Sequence, residues 1–550
     1  MTRRTALTAL AVVALAVALG GRPIGSDIYE GGEAREGLVA REMVETGDWI
    51  LPLWNGTVVP SKPPLFHWLV AAGARLTGAG VTARTLRAPS VVLGGGVVLL
   101  VFLAGRRWGG EDVGFLAALV LATTPQFLRE AGDGRVDMTL CTAITGAQLA
   151  FVHAMRGGGP ATSVVLALCL ALAMLAKGPV GPGLVGLTAL LFAIGSRRLG
   201  AALRLVRPLP VLVFVAIAGG WYALAYLHRG SAFVAKQILS ENGEALLGSD
   251  RFPYRSPLFY VVPLLAGGLP WTLALPWAVR GAWRGDLARR YCLLWTAVVF
   301  AFFSLAPLKR GAYMLPLRPA LALVIGWWLA EVAREARPAG GLVRVASGLA
   351  LGAAALGIGV AALGAALGAG LVPIERIGAM TARPDADVAG YFRAAGDAWI
   401  QLVALGVGGA IAAVIAARAL GRGRWRTASI GIAGAVACTT FLIHGVFVPT
   451  RAAQKSVRPF AEAVRARLRP EDPLALLTND EEIPFIFHVG RRVPVLGARG
   501  RRPPDVPPGY YVLEQEHWDA WNDPPAWSEV LESPHLFSSH RHDLVLVLKR

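Results

Sequence analysis

Residues 33–65 read EAREGLVAREMVETGDWILPLWNGTVVPSKPPL, a charged island between apolar blocks. Leu38, Val39 and Met43 fall at helical spacing with charges between them, which predicts a helix over 33–45 lying flat on a bilayer surface. Trp54-Asn55-Gly56-Thr57 reads as a turn. After Pro63 and Pro64 a second such helix is expected over 65–76, carrying Phe66 and Trp68. The island is therefore expected to fold onto a membrane.

The flanking sequence supplies that membrane. Of 550 residues, 55% are hydrophobic, only 16% are charged and 65 are glycine, a balance that excludes an ordinary soluble protein. The apolar residues come in blocks of about 17 to 25, enough to cross about 30 Å of hydrocarbon. Block 6–19, after Arg3 and Arg4, has the length and basic flank of a cleaved signal peptide, but a retained helix gives the better charge pattern. Further spans are expected at 89–104, 113–128, 138–153, 162–176, 180–194, 208–227 and 258–279. The last ones fall at 293–305, 313–330, 345–371, 400–417 and 430–448. The expectation is an α-helical polytopic protein of about 13 transmembrane helices.

Arginine sets the orientation, because basic loops resist translocation. With the amino terminus inside, alternate loops carry Arg106 and Arg107, then Arg156, then Arg197, Arg198, Arg204 and Arg207. Arg280 to Arg290, Arg334 to Arg344 and Arg418 to Arg426 continue the series on the same side. Topology thus accounts for much of the +18 net charge, and nucleic-acid binding is excluded as its explanation. Cys141, Cys169, Cys292 and Cys438 all fall in apolar spans without metal-ligand spacing, and read as packing residues.

The expected organisation is a first helix at 1–21, a first outside loop at 22–87, a transmembrane core at 88–448 and a tail at 449–550. The tail is charged and proline-rich, with short apolar runs at 473–477, 510–513 and 544–548 and a helix-like 459–468. These features predict a small soluble α/β domain outside the cytoplasm.

On the outer face the chain places Glu33, Arg35, Lys62, Asp133, Arg135, Asp137, Lys177, Lys309, Arg310 and Tyr313. One such residue reads equally well as an interfacial side chain snorkelling to lipid phosphate. Basic groups converging outside oppose the positive-inside trend, so something there needs them. A lipid-linked phosphate or pyrophosphate donor fits, since Lys and Arg bind phosphate and stabilise it as a leaving group. A carboxylate such as Asp137 can then act as base on an acceptor hydroxyl. No GxxxxGK[ST] loop or soluble nucleotide fold supplies energy, and an activated membrane-embedded donor removes that need.

The ordered string Glu33-Ala34-Arg35, Ala40-Arg41-Glu42-Met43, Gly47-Asp48-Trp49, Asn55-Gly56 and Lys62-Pro63-Pro64-Leu65 resembles the amino-terminal signature of a bacterial superfamily. That superfamily comprises the aminoarabinose-transferase and protein-mannosyltransferase membrane glycosyltransferases of GT-C fold. Arg135-Val136-Asp137-Met138, Lys177-Gly178-Pro179, Pro270-Trp271 and the segment Lys309, Tyr313, Pro316 resemble its later motifs, so the likeness covers about residues 25 to 330. It implies an inverting hexosyl or pentosyl transfer from a polyprenyl-phosphate donor to a lipid, glycan or protein acceptor at the periplasmic face of an inner membrane. Carried over by position, Arg35, Lys62, Lys309 and Tyr313 hold the donor phosphate, Lys177 is a further candidate, and Asp137 is an active-site carboxylate.

Two departures qualify the likeness. Where members carry an Asp-Glu pair this chain has Gly32-Glu33, so the first-loop carboxylate falls to Glu33, with Glu30 and Asp27 as further candidates. Two positions that can form a metal site in aminoarabinose transferases are Ser61 and Tyr254 here, which argues against that divalent metal, and no cofactor is predicted. The competing readings are a lipid or sugar flippase with the same polytopic layout and a non-catalytic scaffold.

Overall fold

The computed structural model describes residues 2–244, 256–335, 340–380, 387–478, 482–496, 505–521, 524, 526–534 and 543–550. Among them, nine helices are long and apolar enough to cross a membrane, or ten if one bent pair is a single span. The first elements are α1 (Arg3–Gly21), α2 (Gly31–Thr46), α3 (Leu65–Thr77), α4 (Ala83–Gly109) and α5 (Glu111–Ala122). They continue through α6 (Pro125–Ala131), α7 (Val136–Met155), α8 (Ala161–Lys177) and α9 (Val180–Gly195). Later long helices run Pro208–Glu241, Leu287–Leu305, Gly311–Glu335, Val343–Gly368, Trp399–Gly421 and Trp425–Lys455. The chain is a multi-span membrane protein.

Several expected spans are shaped differently. The segment expected at 113–128 is broken at Thr124, whose φ of −84° and ψ of 116° are extended. Pro125 causes this: it lacks an N–H and crowds the preceding residue out of the α region. The segment expected at 258–279 is the bent pair, Pro257–Ala266 and Trp271–Trp283, meeting at 108°. Helices α8 and α9 have 17 and 16 residues, about 25 Å each, at the short limit of a membrane-crossing helix. The helix expected to end at 227 continues to Glu241, with a kink at Gly230, where φ is 52°. Only glycine takes that backbone without strain.

The first-loop helices are covered by the C-terminal region. Helix α2 buries Leu38, Val39 and Met43, and also Glu33, Glu36 and Glu42. Its apolar face shares one core with Phe66 and Val70 of α3 and with Phe460, Ile483 and Phe485 from the C-terminal region. That region carries a four-stranded sheet of β1 (Leu474–Leu476), β2 (Gly509–Glu514), β3 (Trp527–Glu532) and β4 (Leu544–Lys549). The strand order is β1-β2-β4-β3, with β1 parallel to β2 and the other pairs antiparallel. Alternation decides the faces. Leu476, Val512, Leu544 and Leu546 join the first-loop core, while Leu477, Leu513, Val545 and Val547 pack with Trp518 and Trp521. Helix Ile483–Val489 of this region packs directly on α2, and the inner face of the sheet completes the same core.

Candidate active site

Glu33 is the knot between the first two loops. Its Oε1 accepts from Arg87 Nε at 2.6 Å and from the Gly134 N–H at 2.9 Å, and its Oε2 accepts from Arg87 Nη2 at 2.7 Å. Arg87 in turn donates from Nη1 to the Ser26 carbonyl at 2.6 Å and the Pro23 carbonyl at 3.2 Å, which fixes the turn leaving α1. Both side chains are buried, at 4% and 6% exposure, so each ion depends on the other.

Asp137 begins α7, also buried. Lys177, the last residue of α8, donates to Asp137 Oδ1, and Arg135 Nε lies 3.7 Å from its Oδ2. The Lys177 ammonium also sits 4.6 Å from the centre of the Tyr313 ring. The structure therefore brings Asp137, Lys177 and Tyr313 together at one end of the bundle.

Lys62 pairs with Glu241 at 2.7 Å, and Gln237 donates to the Pro60 and Lys62 carbonyls, both at 3.0 Å. The helix extension past Gly230 is what holds the Lys-Pro-Pro turn. Lys309 donates to the carbonyls of Phe303 at 2.9 Å, Ser304 at 2.5 Å and Ala306 at 2.6 Å. Its three hydrogens thus satisfy the C-terminal end of helix Leu287–Leu305, where carbonyls lack helical partners. Arg35 is half-buried on α2, off the wall of the cavity described next.

Beside this cluster opens a cavity of about 460 Å³. Five arginines and five carboxylates line it, among them Arg87, Arg129, Arg135, Arg310, Glu33 and Asp133. Its walls come from the turn after α1, the start of α2, the 129–135 stretch, the turn at 310–312 and helix Trp425–Lys455. Burial, together with the neighbouring Glu33, Glu130 and Glu30 carboxylates, pushes the Asp133 carboxyl well above the ordinary range, against the pull of Arg135. Burial also penalises the Glu36 carboxylate, but a 2.5 Å hydrogen bond with His67 and the positive charges of Lys62 and Arg135 outweigh it and hold Glu36 below its ordinary value. On the same helix, Gly32 stands directly against Arg135: a β-carbon at 32 would lie 2.7 Å from Nη1.

Ser61 and Tyr254 occupy the two positions at which a metal ligand is in question. Ser61 offers only a hydroxyl, Tyr254 lies outside the described residues, and among the described residues no group of three or more His, Cys, Asp or Glu side chains is placed to hold a metal.

The crystal structure of ArnT from Cupriavidus metallidurans bound to undecaprenyl phosphate superposes with a TM-score of 0.79 at 19% identity, covering 98% of this chain and 97% of that one. The chain has the ArnT fold. The apo form of the same protein superposes at a TM-score of 0.76. Residues 61–224 of this ArnT-like chain match the family model for dolichyl-phosphate-mannose-protein mannosyltransferase, a stretch that holds Lys62, Asp137 and Lys177.

Among curated relatives, an undecaprenyl phosphate-α-4-amino-4-deoxy-L-arabinose arabinosyl transferase of Pseudomonas fluorescens is 30% identical over 54% of this chain and 55% of its own length. The corresponding protein of Pseudomonas savastanoi is 29% identical over 56% of this chain and 58% of its own. The ArnT-like chain thus spans about half the length of the curated relatives it matches.

Sequence reasoning missed Arg87, Arg129, Glu130, Arg451 and Glu241 as neighbours of the site. Arg87 opens an apolar span, where an arginine reads as a snorkelling anchor. Its carboxylate partner lies 54 residues earlier, beyond any local pattern.

Proposed function

We propose that this chain transfers a sugar from a polyprenyl-phosphate donor to a hydroxyl of an envelope acceptor, at the periplasmic face of an inner membrane. The observation that carries this reading is the pairing of Asp137 with Lys177 and Arg135, with the Tyr313 ring against the Lys177 ammonium, at one end of an ArnT-like bundle. Cations gathered at the mouth of a membrane bundle suit a phosphate presented by a lipid, whose tail can stay in the bilayer.

In this mechanism Lys62, Lys177 and the neighbouring arginines receive the donor phosphate. As the glycosidic bond breaks, negative charge grows on the departing phosphate, and fixed cations stabilise it most at that point. Asp137 orients Lys177 and Arg135 and keeps their charges from repelling one another when the site is empty. Tyr313 stacks against the Lys177 ammonium and limits its swing. Glu33 locks the two loops in register, and Lys309 shapes the turn that presents Arg310 and Tyr313. Attack by the acceptor opposite the leaving phosphate inverts the anomeric carbon. The donor class is further supported by the likeness to ArnT, which was solved with undecaprenyl phosphate.

Mass spectrometry of envelope lipids and glycans from cells with and without the gene tests this, and the size of the mass increment separates pentosyl from hexosyl transfer. Asp137→Asn and Lys177→Ala are expected to remove the product while the protein still inserts. Wild-type product levels from both variants would sink the site assignment.

A further inference from the structure

A general base for an acceptor hydroxyl is a carboxylate that faces the acceptor and is not already tied to a neighbouring donor. Most carboxylates at this end of the molecule are tied in that way. Both oxygens of Glu33 are occupied, by Arg87 and by the Gly134 N–H. Asp137 is held between Lys177 and Arg135 and stands off the cavity wall. Glu36 is bonded to His67, Glu130 to Arg129 at 2.6 Å, and Asp27 to Arg458 at 3.0 Å.

Asp133 is different. It lines the cavity, and its carboxyl makes no hydrogen bond or ion pair among the described residues. Glu30 also lines the cavity, but it is solvent-exposed at the start of α2. Asp133 is half-buried on the short loop between α6 and α7, two residues before Arg135 and next to the Gly134 amide that Glu33 grips. The knot at Glu33 therefore fixes the backbone that carries it. Across this loop, Arg135 fills the space that a side chain at position 32 would need, so the first loop presents no side chain there.

We propose that Asp133 is the catalytic base, the carboxylate that takes the proton from the acceptor hydroxyl. This rests on the glycosyl transfer proposed above. The acceptor oxygen forms its bond to the anomeric carbon, the bond from that carbon to the phosphate oxygen breaks, and its electron pair leaves on the polyprenyl phosphate. The acceptor proton passes to the Asp133 carboxylate and from there to water in the cavity. The surroundings suit the task. Glu30, Glu33 and Glu130 face Asp133 from the first loop and α6 and raise its proton affinity, while Arg87, Arg129 and Arg135 keep the group ionisable. A carboxylate with raised affinity is a stronger base than an ordinary one.

The test uses purified full-length protein with membranes from a strain lacking the gene, which supply both donor and acceptor. Product is followed by mass spectrometry, and binding of undecaprenyl phosphate is measured separately. Asp133→Asn is expected to lower product formation by about 100-fold or more while leaving undecaprenyl phosphate binding within about twofold of wild type. Asp133→Glu is expected to recover part of the rate, with the acid limb of its pH–rate profile displaced.

Wild-type rates from Asp133→Asn would overturn the assignment while leaving the transfer reading intact. Loss of product together with loss of undecaprenyl phosphate binding would also overturn it, by making Asp133 part of the donor site. No product from the wild-type protein would instead remove the transfer reading, and this assignment with it.

Discussion

The guanidinium of Arg135 occupies the place where a β-carbon on Gly32 would stand, with Nη1 2.7 Å from that point. The obstructing atoms are the tip of a flexible side chain, so Gly32→Ala has to move Arg135 without breaking the fold. The expected result is a thermal midpoint corresponding to a change within about 0.5 kcal/mol, with a clear drop in product formation. An unchanged rate would mean that the position of Arg135 does not matter.

The Glu33–Arg87 pair is buried and accounts for the register of the first two loops. Removing one partner leaves an uncompensated buried charge, so Arg87→Ala is expected to cost about 3–5 kcal/mol. Replacing both partners with apolar residues of similar volume is expected to recover much of that loss. Thermal unfolding in detergent of the single and double variants measures the difference.

Glu36 gives a pH dependence of defined sign. Its carboxyl is held below its ordinary value in the folded protein by His67, Lys62 and Arg135 in spite of burial. A depressed carboxyl contributes stability that is present above its unfolded value and lost as pH falls through the folded one. The Glu36→Gln variant is therefore expected to melt lower than wild type at neutral pH and to show a shallower loss of stability below the ordinary carboxylate range. Parallel melting curves at neutral and acidic pH check both parts.

Asp133 carries the opposite sign. Its folded value is raised, chiefly by burial and by Glu33, so its contribution to stability is full below the unfolded value and lost as pH rises toward the folded one. Asp133→Asn keeps the uncharged form, and is expected to melt higher than wild type at neutral pH while losing activity. That combination marks a group retained for chemistry at the expense of stability. A lower midpoint would contradict the account of its surroundings.

Much of the architecture was legible in the sequence because apolar block length reports directly on membrane crossing. The Glu33 to Leu65 island and the Asp137 and Lys177 positions carried the likeness to the ArnT fold in the same way. The breaks were harder to read. Pro125 was visible, yet an apolar run continues through it, and composition is blind to a bend. The extension from His228 to Glu241 is too polar to read as part of a span, although it holds Lys62 through Glu241. Strand β3, with Ser528 and Glu529 near its start, has no apolar run to announce it and is defined by pairing with β4. Lys309 shows the limit for site residues: sequence marks a lysine at the membrane mouth, and only three-dimensional structure shows its ammonium spent on three carbonyls.

The central claim is sugar transfer from a lipid-phosphate donor by the cluster around Asp137. It is tested most directly by comparing envelope lipids and glycans, by mass spectrometry, from a strain lacking the gene and from the same strain expressing wild-type or Asp137→Asn protein. The account predicts one sugar increment on an envelope component that is restored by the wild type and absent with Asp137→Asn. Identical envelopes in all three strains, with purified protein moving a polyprenyl-phosphate sugar across proteoliposomes without covalent product, would contradict it.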